Sequence, residues 1–163
     1  MRTIRSLVGG APVEGAPGGT LTIANPAALD DVIGEAALGD ADTLVHACEV
    51  AGRAQPGWAS TPAPTRGRVV QRFGRLVEEN LERLSLLITR EIGKPIRESR
   101  GEVQEVVDTC SFFLSEGRRL YGQTVPSELP DKQLFTFRVP VGVAAIVTAG
   151  NFPVAVPSWY IVP

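Results

Sequence analysis

Residues 140–153 read Pro140-Val141-Gly142-Val143-Ala144-Ala145-Ile146-Val147-Thr148-Ala149-Gly150-Asn151-Phe152-Pro153. From Val141 to Val147 no polar side chain interrupts the run, and its residues are small or β-branched. A strand covered on both faces of a parallel sheet reads this way, whereas a half-exposed strand alternates. The run ends in the loop of residues 148–153, and an apolar, helix-like segment continues to Pro163. Parallel neighbours are reached through crossovers of about a dozen or more residues, and only half such a connection follows. Burying Trp159, Tyr160, Ile161 and Val162 is worth about 1.5–3 kcal/mol each, against whole-domain stabilities of about 5–15 kcal/mol. The expected fold is therefore α/β. The chain is expected to be the front section of a larger protein, with the remainder C-terminal.

Upstream of this run, residues 133–139 alternate strictly. Leu134, Thr136 and Arg138 point one way and Phe135, Phe137 and Val139 the other. With the extended residues 123–126 and a turn at Pro130-Asp131-Lys132, they make a β segment. Residues 98–120 carry Val103, Val106, Val107, Cys110, Phe113, Leu114 and Leu120 at helical spacing, with Glu98, Glu102, Glu105 and Asp108 on the polar side. Residues 66–92 repeat the pattern with Val69, Phe73, Leu76, Val77, Leu84, Leu87 and Ile88. The face lapses at Asn80, which predicts two consecutive helices, and Gly93-Lys94-Pro95 is a stop. An earlier helix opens at Asp40 or Asp42, shows a narrow face of Leu44, Ala47, Cys48 and Ala51, and is expected to end at Gln55-Pro56-Gly57-Trp58. The first forty residues read as a small β-meander, with strands at 3–8, 20–24 and 32–38, a glycine-rich loop at 9–19 and a turn at Asn25-Pro26.

Composition narrows the function classes. The 163 residues are 44% hydrophobic and 21% charged, as in ordinary globular proteins. The 16 basic and 18 acidic groups leave no basic excess for nucleic acid. Two cysteines and one histidine are too few for a disulfide framework or the common zinc patterns, so no metal is expected. No Gly-x-x-x-x-Gly-Lys-Ser/Thr phosphate cradle is present. The apolar stretch after Met1-Arg2-Thr3-Ile4-Arg5 stops at Gly9-Gly10, and no run reaches the ~20 residues of a membrane-spanning helix. A cytoplasmic chain with no membrane partner is expected.

Among candidate sites, Cys110 and Cys48 both fall on apolar helix faces, where a thiol packs as a small hydrophobe. His46 is expected to be exposed and has no nucleophile beside it. Glu98, Glu102 and Glu105 share a helix face and read as solvated surface. The loop of residues 148–153 differs, because it follows a buried strand and precedes a helix, the place where open α/β sheets bind ligands. Gly150 permits close approach, Asn151 offers an amide donor for a developing oxyanion, and Pro153 suits a first helical turn.

Asn25-Pro26, Pro56-Gly57-Trp58, Arg66-Gly67-Arg68, Glu91-Ile92-Gly93-Lys94-Pro95, Pro140-Val141-Gly142-Val143 and Asn151-Phe152-Pro153 occur in an order and spacing that resembles the NAD(P)-dependent aldehyde dehydrogenases. The resemblance covers nearly the whole chain from Asn25 onward, and members are much longer, so it implies their N-terminal portion only. It divides the chain into residues 1–122, the meander and helices of a cofactor-binding domain; 123–139, an oligomerisation β-arm reaching a neighbouring subunit; and 140–163, the first strand and the start of the first helix of a Rossmann-like sheet. It implies that Val147, Thr148, Ala149 and Gly150 line NAD or NADP. It makes Asn151 the oxyanion-hole asparagine, donating to the substrate oxygen as a cysteine thiolate attacks the aldehyde. Hydride transfer and glutamate-assisted thioester hydrolysis then complete oxidation to the carboxylic acid. The family usually has a bulky aromatic where this chain has Gly150. Neither Cys48 nor Cys110 matches the nucleophile's motif, and the nucleophile and base segments are absent. The implied function is thus aldehyde dehydrogenase chemistry, with the isolated chain inactive and binding cofactor weakly or not at all, in a parent homo-oligomer joined through the arm. The alternative is a non-catalytic interaction module that docks on a full-length partner.

Overall fold

A computed structural model of the chain describes residues 2–163. Short strands β1 (Thr3–Ile4), β2 (Leu7–Val8) and β3 (Ala11–Pro12) precede β4 (Thr20–Asn25) and β5 (Ala28–Ala37). β4 and β5 form an antiparallel hairpin, and β1 pairs parallel with β5 on its other side. β5 starts earlier than the apolar pattern predicts, because the Asn25 side chain accepts the Ala27 N–H at 3.0 Å and closes a tight turn. β2 and β3 form a separate two-stranded ladder.

Helix α1 (Ala41–Ser60) is capped by Asp40, whose carboxylate accepts the Thr43 N–H at 2.8 Å while the Thr43 hydroxyl accepts the Asp40 N–H at 3.3 Å. It does not stop at Gln55-Pro56-Gly57-Trp58 but runs through Pro56. The residue four positions earlier is Gly52, with open space around it, which eases the clash a proline ring makes with that turn. The helix ends where the Ser60 and Thr61 hydroxyls donate to the Gly57 carbonyl at 3.0 and 2.9 Å and Arg66 donates to the Thr61 carbonyl at 2.7 Å. α1 buries none of its residues, so Cys48 is exposed rather than packed as its spacing predicts. The face of Leu44, Ala47, Cys48 and Ala51 is too narrow and too small to compete for the core.

Helices α2 (Ala63–Glu79) and α3 (Leu81–Ile92) divide at Asn80, whose side-chain amide donates to the Leu76 carbonyl at 2.8 Å. The lapse in apolar spacing had marked this break. α3 ends on Gly93 in the left-handed region, at φ 78°. Helix α4 (Ile96–Glu116) lies against α2 and α3, and ends short of the 120 that the pattern predicts. Its backbone passes so close to α2 that a Cβ on Gly67 would lie 2.5 Å from the Leu114 carbonyl oxygen. The core of Val77, Ile88, Val103, Val106, Cys110 and Val162 sits between these helices.

Strands β6 (Thr124–Val125) and β7 (Leu134–Phe135) pair antiparallel in a small hairpin. Residues 139–149 form no regular secondary structure, and Gly142 among them lies in the left-handed region at φ 97°, so the expected buried strand at 141–147 is not met. They pair with no described strand, and Val141 and Val147 are 95% and 96% exposed. Their composition suits a sheet interior, and the described residues supply no flanking strand. The chain then turns through 150–154 into α5 (Ala155–Ile161), which packs on α4. Among the described residues, no helix is long and apolar enough to cross a membrane, and no cluster of His, Cys, Asp or Glu is arranged to hold a metal.

Candidate functional site

The loop between the unpaired run and α5 combines freedom on one side with firm anchorage on the other. Val147, Ala149 and Gly150 are exposed and Thr148 is half-buried. A Cβ added to Gly150 would meet nothing within 4 Å. Asn151 is exposed, so its carboxamide is available to a ligand, and Phe152 beside it is 40% exposed.

Downstream, the backbone is held from α4. Val154 caps α5 without any side-chain bond of its own. Glu102 supplies the acceptor instead. Its Oε1 accepts the N–H groups of Val154 and Ala155 at 2.9 and 3.2 Å. Its Oε2 accepts from Lys94 Nζ at 2.6 Å. The Glu102 side chain has no exposed surface and that of Lys94 is 11% exposed. Such a charge is tolerated in the interior only when paired and hydrogen-bonded, as both carboxylate oxygens are here. Lys94 Nζ also lies 4.2 Å from the centroid of the Phe152 ring, over its electron-rich face.

Glu102 thus departs from the solvated role its spacing with Glu98 and Glu105 predicts. The buried stripe of α4 is Ser99, Glu102, Val103, Val106 and Cys110, and α5 covers its first turns. Reading that stripe as continuous, with the cation Lys94 just upstream, is the signal that would have found the pair.

The other candidates lie elsewhere. Cys110 of α4 is buried against Gly74 of α2, and burial pushes its thiol above the ordinary range, which disfavours the nucleophilic thiolate. Cys48 and His46 are on the exposed helix α1. None of the three is brought to Asn151.

A backbone turn presenting one amide donor, fixed from behind and open in front, suits stabilisation of negative charge on a substrate oxygen. The aldehyde dehydrogenase family model matches residues 13–163. The chain belongs to the aldehyde dehydrogenase family. It is 30% identical over 161 residues to alpha-ketoglutaric semialdehyde dehydrogenase of Bacillus subtilis, spanning 99% of this chain and 33% of that protein. Its fold matches an aldehyde dehydrogenase from Brucella melitensis biovar abortus at a TM-score of 0.92 with 33% identity, over 96% of this chain and 32% of the other. A variant of Staphylococcus aureus betaine aldehyde dehydrogenase in complex with NAD+ matches at 0.91 with 29% identity, over 97% and 32%. The chain therefore spans about a third of the length of the aldehyde dehydrogenases it matches, and its α/β architecture corresponds to an N-terminal portion of that fold.

Proposed function

We propose that this aldehyde dehydrogenase segment supplies the oxyanion donor and one wall of the nicotinamide site for NAD(P)-dependent oxidation of an aldehyde to a carboxylic acid, and that it is inactive alone. The observation that carries the reading is the placement of Asn151, exposed after the unpaired apolar run and three residues before the Val154 N–H that Glu102 holds. As a nucleophile adds to the aldehyde carbon, the carbonyl oxygen gains charge. The Asn151 carboxamide N–H donates to that oxygen more strongly than to the neutral aldehyde, so it lowers the barrier rather than merely binding substrate.

Val147, Thr148, Ala149 and Gly150 carry no charge, and the space beside Gly150 is open. Unpaired backbone N–H and C=O groups with no charged side chain among them fit the flat face and carboxamide of a nicotinamide, and offer nothing to its phosphates. NAD or NADP, when bound, accepts the hydride. One wall supports only weak binding by this chain alone. The β6–β7 hairpin is the arm through which a homo-oligomer would form.

The purified chain is expected to give no aldehyde-dependent reduction of NAD or NADP, and turnover would overturn the claim of inactivity. The oxyanion role is tested in a chimera carrying this chain as the N-terminal third of the Bacillus subtilis relative. There Asn151→Ala is expected to lower kcat about 10²–10³-fold, and an unchanged kcat would remove that role.

A second reading rests on the unpaired run of residues 139–149 and the exposed Phe135 and Phe137 beside it. These surfaces suit a non-catalytic module that docks on a full-length partner. A stable stoichiometric complex on co-purification, without any effect of Asn151→Ala, would favour it.

A further inference from the structure

We propose that Lys94 and Glu102 form a buried clamp that positions the Asn151 carboxamide, a role that rests on the oxyanion reading of Asn151. The upstream side does not hold Asn151. On its upstream side the backbone is unpaired, Val147 is 96% exposed, and Gly150 is the residue with the widest conformational freedom, in open space. No packing from that side fixes the direction of the Asn151 side chain.

On the downstream side two contacts converge from α4 and from the α3–α4 turn. Glu102 Oε1 holds the N–H groups three and four residues after Asn151, at 2.9 and 3.2 Å. Lys94, bonded to the other oxygen of the same carboxylate at 2.6 Å, holds the ring of the very next residue, Phe152, at 4.2 Å from its centroid. A cap for α5 needs only the carboxylate. The ammonium on the Phe152 face adds nothing to that cap, and it extends the restraint from Val154 back to the residue adjoining Asn151. Lys94 and Glu102 touch no reacting atom. They act through the loop, and charge-assisted bonds in a site with little access to water are stiff enough to do so.

The test is an order-parameter measurement on the isotope-labelled 163-residue chain, comparing wild type with Lys94→Arg and with the double variant Glu102→Gln/Lys94→Met. The double variant removes both charges together, so it leaves neither one buried alone and keeps similar volumes. Its backbone order parameters at Asn151 and Phe152 are expected to fall from about 0.85 to below about 0.6, while those of Val106 and Cys110 stay unchanged. Lys94→Arg, which keeps the cation, is expected to keep Asn151 ordered. An Asn151 that stays rigid in the double variant, or is already mobile in wild type, overturns the clamp. Should the double variant lose the α4 signals, Phe152→Leu, which removes the ring beneath Lys94 and leaves the Lys94–Glu102 pair whole, carries the same readout with the same two outcomes. No turnover enters this measurement. A rigid Asn151 therefore removes the clamp alone, whereas an unchanged kcat in the Asn151→Ala chimera removes the oxyanion role alone.

Discussion

Arg90 on α3 and Asp31 on β5 form a two-pronged ion pair that ties the helices to the small sheet. Nε donates to Oδ2 at 3.0 Å, and Nη2 donates to Oδ1. Asn25 Nδ2 adds a third donor at 3.1 Å. The Arg90 bonds, and then that of Asn25, hold the Asp31 carboxyl below its ordinary range. A carboxyl whose folded-state pKa is depressed contributes stability above its unfolded value, and that contribution is lost as pH falls through the folded value. Asp31→Asn is therefore expected to lower the melting temperature near about pH 6, with wild type and variant converging by about pH 2. Melting curves that stay equally separated at both ends of the range would remove Asp31 as the cause.

Two glycines on the helices should respond to alanine with opposite signs. A Cβ on Gly67 would meet the Leu114 carbonyl oxygen at 2.5 Å, a backbone atom that cannot move without parting α2 from α4. Gly67→Ala is expected to cost about 1–3 kcal/mol. Gly101 is an exposed position on α4 with nothing within 4 Å of an added Cβ, so Gly101→Ala is expected to gain about 0.5–1 kcal/mol. Urea unfolding of the two variants reads both values.

Lys94→Met alone leaves the Glu102 carboxylate fully buried beside a methyl thioether. Removing one partner of a buried ion pair typically costs about 3–5 kcal/mol, whereas exchanging both for neutral groups is often close to neutral. The single variant is thus expected to unfold at clearly lower urea than Glu102→Gln/Lys94→Met. Equal midpoints would mean that water reaches Glu102.

The run of residues 139–149 presents apolar side chains and an unpaired backbone edge together. Such an edge pairs with others of its kind. The chain is expected to bind a hydrophobic dye and to self-associate, and Val141→Lys/Val147→Lys is expected to reduce both. A monomeric wild type without dye binding would show that the run is covered.

Much of the helical layer is legible in the sequence. α4 shows a wide apolar stripe, and Asn80 interrupts its neighbour's stripe where two helices meet. Gly93, in the left-handed region at a helix end, was legible for the same local reason. Pro56 was misleading, because an exposed helix tolerates a proline when Gly52 leaves room for its ring. Asn151 is singled out by its place after an apolar run. Glu102 is not, since the role of its carboxylate depends on α5 arriving from 53 residues along the chain, at Ala155. The α4 stripe places Glu102 on the buried side, but it does not say which backbone groups arrive there. The exposure of Val141 and Val147 was equally hidden, because burial of a strand is decided by its neighbours and not by its own composition.

The tether from Glu102 also separates two mechanical allegiances within a few residues of chain. Val154 and Ala155 are bonded to α4, while the run ending at Val147 pairs with no described strand, and Gly150 lies between them with open space around it. Under the proposed clamp, a sliding of any sheet joined by that run against the helices would leave Asn151 where it is and carry the strand past it. The gap between donor and sheet-borne groups is an adjustable dimension of this architecture, set by how two layers seat rather than by which residues they contain.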